Sequence, residues 1–183
     1  MTSSQLDTSE LVELLERSAV EHLTTFRQLQ AREFGSLMKI VTTDFEAMYA
    51  YKCGDYQRCL QLSTQNVHTL IGDLDLSFVF TYSELIQLLD DGLVCLLGLT
   101  LLEDRSCRRN GKNVAISQLS LSLYLMIQCQ MKLHHPVTSL AQTLDYIEVA
   151  RHKLSHHRNL NQLLLKLTES KILRYISVDM PFV

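Results

Sequence analysis

The fold is decided by the stretch Phe45-Glu-Ala-Met-Tyr-Ala-Tyr-Lys-Cys-Gly54-Asp55-Tyr56-Gln-Arg-Cys59-Leu60. Good helix formers precede Gly54, and Asp55 is well placed to cap a second helix. Beyond it, apolar and small residues continue at helical spacing, namely Leu60, Ser63, Val67, Leu70 and Ile71. Two helices joined by so short a turn lie antiparallel. The stretch therefore predicts a helical hairpin.

One hairpin cannot bury its apolar faces alone, so this one needs further helices stacked on it. The chain has 183 residues, of which 46% are hydrophobic and 20% charged, as is typical of a folded globular protein. Only two prolines and six glycines occur, which favours long helices. We predict a single all-α domain over 1–183, with a short polar N-terminus at 1–6 and a surface loop at 103–113.

The spacing of apolar residues predicts about seven helices. The second covers about Glu33 to Cys53 and the third about Asp55 to Ile71. The sixth opens at Pro136, and the last opens at Asn159, where Gln162 completes a capping-box pattern. The predicted helices begin near residues 7, 33, 55, 83, 119, 136 and 159.

One segment also fits a strand. Residues 119–125 read Leu-Ser-Leu-Ser-Leu-Tyr-Leu and alternate with a period of two, so they would pair with the aromatic and β-branched residues of 76–82. Leu119, Leu123, Met126 and Ile127 equally satisfy a helical stripe. Helix is the main interpretation, and a small α+β arrangement is the alternative.

Charge and composition exclude several classes of function. A net charge of -3 gives no global field for nucleic acid or an anionic membrane. Basic clusters lie at 105–112 and 151–158, but no aromatic residues interleave with them, so no nucleic-acid partner is expected. The most apolar window, 85–102, carries Asp90 and Asp91 in its middle, which favours a buried helix over a membrane span.

The five cysteines are scattered and outline neither a disulfide framework nor a zinc site. The chain starts without the basic and apolar regions of a secretory signal, so a cytoplasmic location is expected. His152 and His156 share a helix face without a third ligand, which favours a solvated helix end. With no nucleophile motif and no phosphate loop either, we predict no catalytic, cofactor or metal site and no enzymatic activity.

The first hairpin resembles a tetratricopeptide repeat over about 41–71. The match consists of small residues at Ala47 and Ala50, followed by the turn from Gly54 to Tyr56. The chain departs from the pattern at Cys59, where alanine is usual, and in lacking the early tryptophan and the closing proline. A weaker resemblance covers 123–150. The resemblance implies a short superhelix of stacked hairpins whose first helices line a concave groove for a peptide or a partner helix.

Carried onto this hairpin, the resemblance places Asp44, Met48, Tyr51 and Lys52 towards the groove. The alternative is that Met48 is ordinary core and the other three are ordinary surface. The implied function is a non-catalytic scaffold for protein–protein interaction. The last helix, with Tyr175 among its apolar residues, is a further candidate surface for self-association.

The chain also resembles, loosely, helical regions attached to male-abnormal-type nucleotidyltransferases of invertebrates. Gly35-Ser36 and the pair Asp44 and Glu46 mimic the signature of those enzymes. Metal-assisted transfer needs both carboxylates to face the same way, whereas two residues at this spacing on a helix point roughly 200° apart. The resemblance implies an alternative function as an accessory helical domain of a nucleotidyltransferase or nucleotide-sensing system.

Overall fold

The structure, a computed structural model, describes residues 35–72, 116–154 and 159–179, with single positions at 14, 17, 18, 21, 93 and 95. This part of the chain is all-helical, which confirms the predicted fold class. Its five helices are α1 (Gly35–Lys52), α2 (Tyr56–Gly72), α3 (Gln118–Lys132), α4 (Val137–Lys153) and α5 (Asn159–Asp179). Apart from the single positions, the predicted helices near 7 and 83, segment 76–82 and loop 103–113 lie outside the described residues. The count of seven stays a prediction.

The turn between α1 and α2 is built as the sequence predicts. Gly54 has a φ of +80°, its N–H donates to the Tyr51 carbonyl at 3.1 Å, and the Asp55 N–H donates to the Ala50 carbonyl at 2.9 Å. This pair of bonds closes a helix with a left-handed residue after its last turn. Asp55 then caps α2, because its carboxylate accepts from the Arg58 N–H at 3.1 Å.

The turn between α3 and α4 repeats the same backbone pattern with a different residue. His134 takes the left-handed position with a φ of +51°, and its N–H donates to the Met131 carbonyl at 3.2 Å. The His135 N–H donates to the Gln130 carbonyl at 2.9 Å. The predicted break is confirmed here, although Pro136 is the N-cap of α4 and helix begins at Val137.

Contacts at the two ends of the bundle fix the direction of each helix. Lys132, at the end of α3, lies over the ring of Tyr56, at the start of α2, and Tyr175 of α5 reaches His134 at 3.5 Å. At the opposite end, the Lys153 ammonium donates to the carbonyls of Leu70 and Ile71 at 3.2 and 2.6 Å. Successive described helices therefore run antiparallel. In one layer α3 contacts both α1 and α5, and in the other α2 contacts α4.

Helix α3 is the centre of the described structure. Every residue from Gln118 to Gln130 is buried, and α3 contacts all four other helices. A helix enclosed on every side needs no polar face, so its sequence is free to depart from the 3.6-residue period. The alternation of Leu and Ser over 119–125 reflects this enclosure, and the strand alternative for that segment is wrong.

Helices α2 and α4 each turn one stripe of buried residues inwards. In α2 the predicted stripe is confirmed for Leu60, Ser63, Val67 and Leu70, which are buried, while Ile71 is half-buried. In α4 the buried residues recur every three or four positions. They are Leu140, Thr143, Ile147 and Ala150.

The turn geometry predicts the cost of replacing Gly54. A Cβ at this position meets nothing within 4 Å, so only the left-handed backbone opposes a side chain. We expect Gly54→Ala to lower the free energy of unfolding by about 1 kcal/mol. Gly72→Ala is the matched control, because Gly72 also has open space but no positive φ, and it should not destabilise. Urea unfolding followed by circular dichroism measures both.

At the second turn the same reasoning predicts that glycine at position 134 is more favourable than a residue with a side chain. A side chain at position 134 must adopt the left-handed conformation, which glycine adopts without strain. His134→Gly should therefore be more stable than His134→Ala by about 1 kcal/mol. Equal stability of the two variants would contradict a left-handed residue at this turn.

Candidate functional site

The structure separates the four residues predicted to line a groove. Asp44 is 0% exposed and Met48 is 1% exposed, so both lie in the interior. Burial does not support their placement towards a groove, which stays a prediction, and Met48 packs in the core as its alternative states. Tyr51 is half-buried and Lys52 is exposed, so these two remain available at the end of α1.

Asp44 is buried because polar groups on two other helices reach it. Its carboxylate accepts from the Ser122 hydroxyl of α3 at 2.9 Å and from the Asn66 amide of α2 at 3.4 Å. Asn66 also donates to the Ile40 carbonyl of α1 at 3.3 Å. Hydrogen bonds to a charged group contribute about 1.5–3 kcal/mol each, so these contacts offset part of the cost of burial. Sequence reasoning did not identify Asn66 and Ser122 as partners of Asp44. The one sequence feature that could have done so is that each is a polar residue among buried apolar ones.

Aromatic and basic side chains meet at the end of the bundle that holds both turns. The rings of Tyr51 and Tyr56 pack edge to face with centroids 5.6 Å apart. The Lys132 ammonium lies 6.0 Å from the centroid of Tyr56, and Lys52 is exposed beside Tyr51 in sequence. We call Tyr51, Lys52, Tyr56 and Lys132 the end surface.

Two buried thiols meet between α2 and α3. The thiols of Cys59 and Cys129 share a hydrogen bond, and the Cys59 sulfur also lies 3.8 Å from the Ser63 hydroxyl. This bond, followed by burial, raises the pKa of Cys129 well above its usual range. The same bond lowers the pKa of Cys59, against the effect of burial. Cys53 and Cys95 are exposed, in contrast to the buried Cys59 and Cys129.

A small cleft opens beside the first turn, on a different side of α1 from Asp44. Its volume is about 170 Å³. Glu46 lines it with a carboxylate 3.9 Å from the Arg58 guanidinium. Asp44 and Glu46 therefore do not converge on one site, in agreement with the helical spacing predicted for them. We call this space the turn cleft, and it is lined by Glu46, Tyr49, Ala50, Cys53, Asp55 and Arg58.

The described ranges contain neither a grouped set of metal ligands nor a membrane-spanning helix. Within 35–72, 116–154 and 159–179 and the single positions, no three His, Cys, Asp or Glu side chains are grouped so as to hold a metal ion. His152 contacts Glu148 at 3.3 Å, and His156 lies outside the described residues. Nowhere in these ranges does a helix combine the length and the apolar character that crossing a bilayer demands.

Comparison with known proteins adds no relative. No protein-family model, no curated protein and no solved structure matches this chain. The tetratricopeptide-like and nucleotidyltransferase-like resemblances therefore stay predictions.

Burial of Asp44 predicts a large effect of its removal. Asp44→Ala leaves the Ser122 hydroxyl and the Asn66 amide without this acceptor, and we expect a loss of about 2–4 kcal/mol of unfolding free energy. Asp44→Asn keeps an acceptor oxygen and should cost less. Asp145, an exposed aspartate on α4, is the matched control, and Asp145→Ala should change stability by less than about 0.5 kcal/mol. Similar effects of the two alanine variants would contradict the buried position of Asp44.

The thiols predict a selective labelling pattern. In the native protein iodoacetamide should modify Cys53 and Cys95 readily. Cys59 and Cys129 should react more slowly by a factor on the order of 10³ or more, because the reagent reaches them only after opening of the α2–α3 contact. Mass spectrometry of digested protein measures each site. Labelling of Cys129 at the rate of Cys53 would show that this contact is open.

Proposed function

We propose that this protein is a non-catalytic scaffold of tetratricopeptide-like type that binds a peptide or a helix of another protein. The observation that carries the proposal is the pattern of helix contacts. The first helices of the described pairs, α1 and α3, lie in one layer with α5, and the second helices, α2 and α4, form the other. Stacked helical hairpins give this arrangement.

The repeated turn supports the same proposal. Both hairpins close with a left-handed residue and with the same two backbone hydrogen bonds, at Gly54 and at His134. Two pairs of helices built alike and stacked in register are what a repeat architecture requires. Residues 73–115 separate the two pairs, so the pairs do not follow one another at a short fixed period.

Burial supports one surface over another as the place where a partner binds. In tetratricopeptide proteins the first helices line the groove, but α3 is closed from Gln118 to Gln130, and Asp44 and Met48 of α1 are interior. The end surface retains two half-buried tyrosines, a residue type that is enriched at protein interfaces, and beside them the exposed Lys52 and Lys132. We therefore assign partner binding to the end surface, through Tyr51 and Lys52. Self-association through α5 is a second proposed contact, supported by Leu173, which is 52% exposed on that helix.

The test compares capture of partners by two charge-reversed variants. The full chain, immobilised as wild type, Lys52→Glu or Lys166→Glu, is exposed to extract of its native cells, and bound proteins are quantified by mass spectrometry. Lys166 is exposed on α5, away from the end surface, and is the matched control. We expect at least one protein whose capture falls by about tenfold or more with Lys52→Glu and stays unchanged with Lys166→Glu. Identical protein sets for all three baits would overturn the assignment.

A further inference from the structure

The end surface carries positive charge. Lys52 and Lys132 are both exposed, and its other two members are tyrosines. The carboxylate of the adjoining turn belongs to Asp55, which uses it to accept a hydrogen bond from the Arg58 N–H at 3.1 Å. The chain as a whole has a net charge of -3, so positive charge is a local property of this surface. A negatively charged ligand is therefore the kind that the end surface attracts.

Lys132 is the member whose charge is not paired with a carboxylate of the described residues. Its ammonium lies 6.0 Å from the centroid of the Tyr56 ring. Among the residues that the structure describes, ion pairs form at Arg58, Arg151 and His152 but not at Lys132. An aromatic ring attracts a cation without neutralising its charge. The Lys132 ammonium can therefore still bind a carboxylate.

The neighbours of this ammonium restrict its position before any partner binds. The rings of Tyr51 and Tyr56 pack edge to face with centroids 5.6 Å apart, and both pack against the core. The ring over which Lys132 lies is therefore held in place. Ordering a long lysine side chain opposes binding, and this contact orders it in part already.

The two tyrosines favour a polypeptide over a nucleic acid as the ligand. Bases bind by stacking on open aromatic faces. Here each ring packs against the other and against the core, and the Lys132 ammonium lies over Tyr56. An anionic membrane is attracted by clusters of about four to eight basic residues, whereas the end surface has two. Carboxylates on a polypeptide match this small number of charges, and tyrosines are enriched where proteins meet.

We infer that the end surface binds an acidic segment of the partner polypeptide, with Lys132 as the donor to one of its carboxylates. This inference rests on the proposed scaffold function and names the chemistry of the segment that the scaffold recognises. Lys52 adds attraction at longer range, which speeds association and is screened by salt.

Binding is measured by fluorescence anisotropy of a labelled peptide in which glutamate alternates with glycine, titrated with the full chain. The matching peptide with glutamine is the neutral isostere, and a labelled oligothymidylate of equal charge tests for nucleic acid. The variants are Lys132→Gln, which removes the charge, and Lys132→Arg, which retains it. Lys166→Gln on α5 is the matched control, because Lys166 is exposed outside the end surface.

We expect the glutamate peptide to bind about tenfold more tightly than the glutamine peptide and the oligothymidylate. Its dissociation constant should rise by about fivefold in Lys132→Gln and stay unchanged in Lys166→Gln, because an exposed carboxylate–ammonium pair contributes modestly. Lys132→Arg should bind like the wild type. If Lys132 only stabilised the end of α3, Lys132→Gln would lower the free energy of unfolding without changing the dissociation constant, and urea unfolding measures this separately.

Equal affinity for the glutamate and glutamine peptides would overturn the inference, as would an unchanged dissociation constant in Lys132→Gln. Tighter binding of the oligothymidylate would show a nucleic-acid ligand and would do the same. Failure of these titrations, together with a protein captured through Lys52, rejects the acidic segment and leaves the scaffold function standing. Identical capture by all three baits, together with a preference for the glutamate peptide, rejects the scaffold assignment instead.

Discussion

The enclosure of α3 is the constraint on which the rest of the described structure depends. From Gln118 to Gln130 this helix has no exposed face, so neighbours must cover it on every side. Helices α1, α2, α4 and α5 each contact it. Burying one large apolar side chain contributes about 1.5–3 kcal/mol, and α3 buries leucines on several faces at once. A hairpin that failed to form would open one of those faces to water, so the hairpins depend on one another.

Polar groups on α3 make this enclosure specific. Ser122 donates to Asp44 of α1, Gln130 accepts from Thr143 of α4 at 3.2 Å, and the Ser117 N–H at the start of α3 donates to Asn161 of α5 at 2.9 Å. Each bond ties α3 to a different neighbour. A buried polar group without a partner costs roughly 1–3 kcal/mol, so sliding a neighbour by one turn is disfavoured. We interpret these bonds as setting the register of packing that apolar contacts alone would leave loose.

Features that depend on neighbouring residues, such as turns and helix caps, were predicted from the sequence. Features that depend on residues far apart in the chain were not. The turn at Gly54 and the cap at Asp55 act within a few residues, so their signals are readable. The position of Asp44 is not, because Asn66 and Ser122 lie 22 and 78 residues further along the chain. From sequence alone a charged residue is expected at the surface, because the distant partners that would allow its burial cannot be identified. The turn cleft was missed for a related reason, since Glu46 meets Arg58 only after the hairpin has closed.

Because the interior is closed, a partner can bind without disrupting the core only at the outer surface of the bundle. A ligand that entered between α1 and α3 would have to displace Met48 or separate Asp44 from Ser122, and both changes expose core. At the turn end no core residue needs to leave. The backbone there is already held by paired hydrogen bonds at both turns, so little conformational entropy remains to be lost on binding. Binding at this end would leave the core intact. Binding at the layer of first helices would expose α3 to water, and the free energy of that exposure would reduce the affinity.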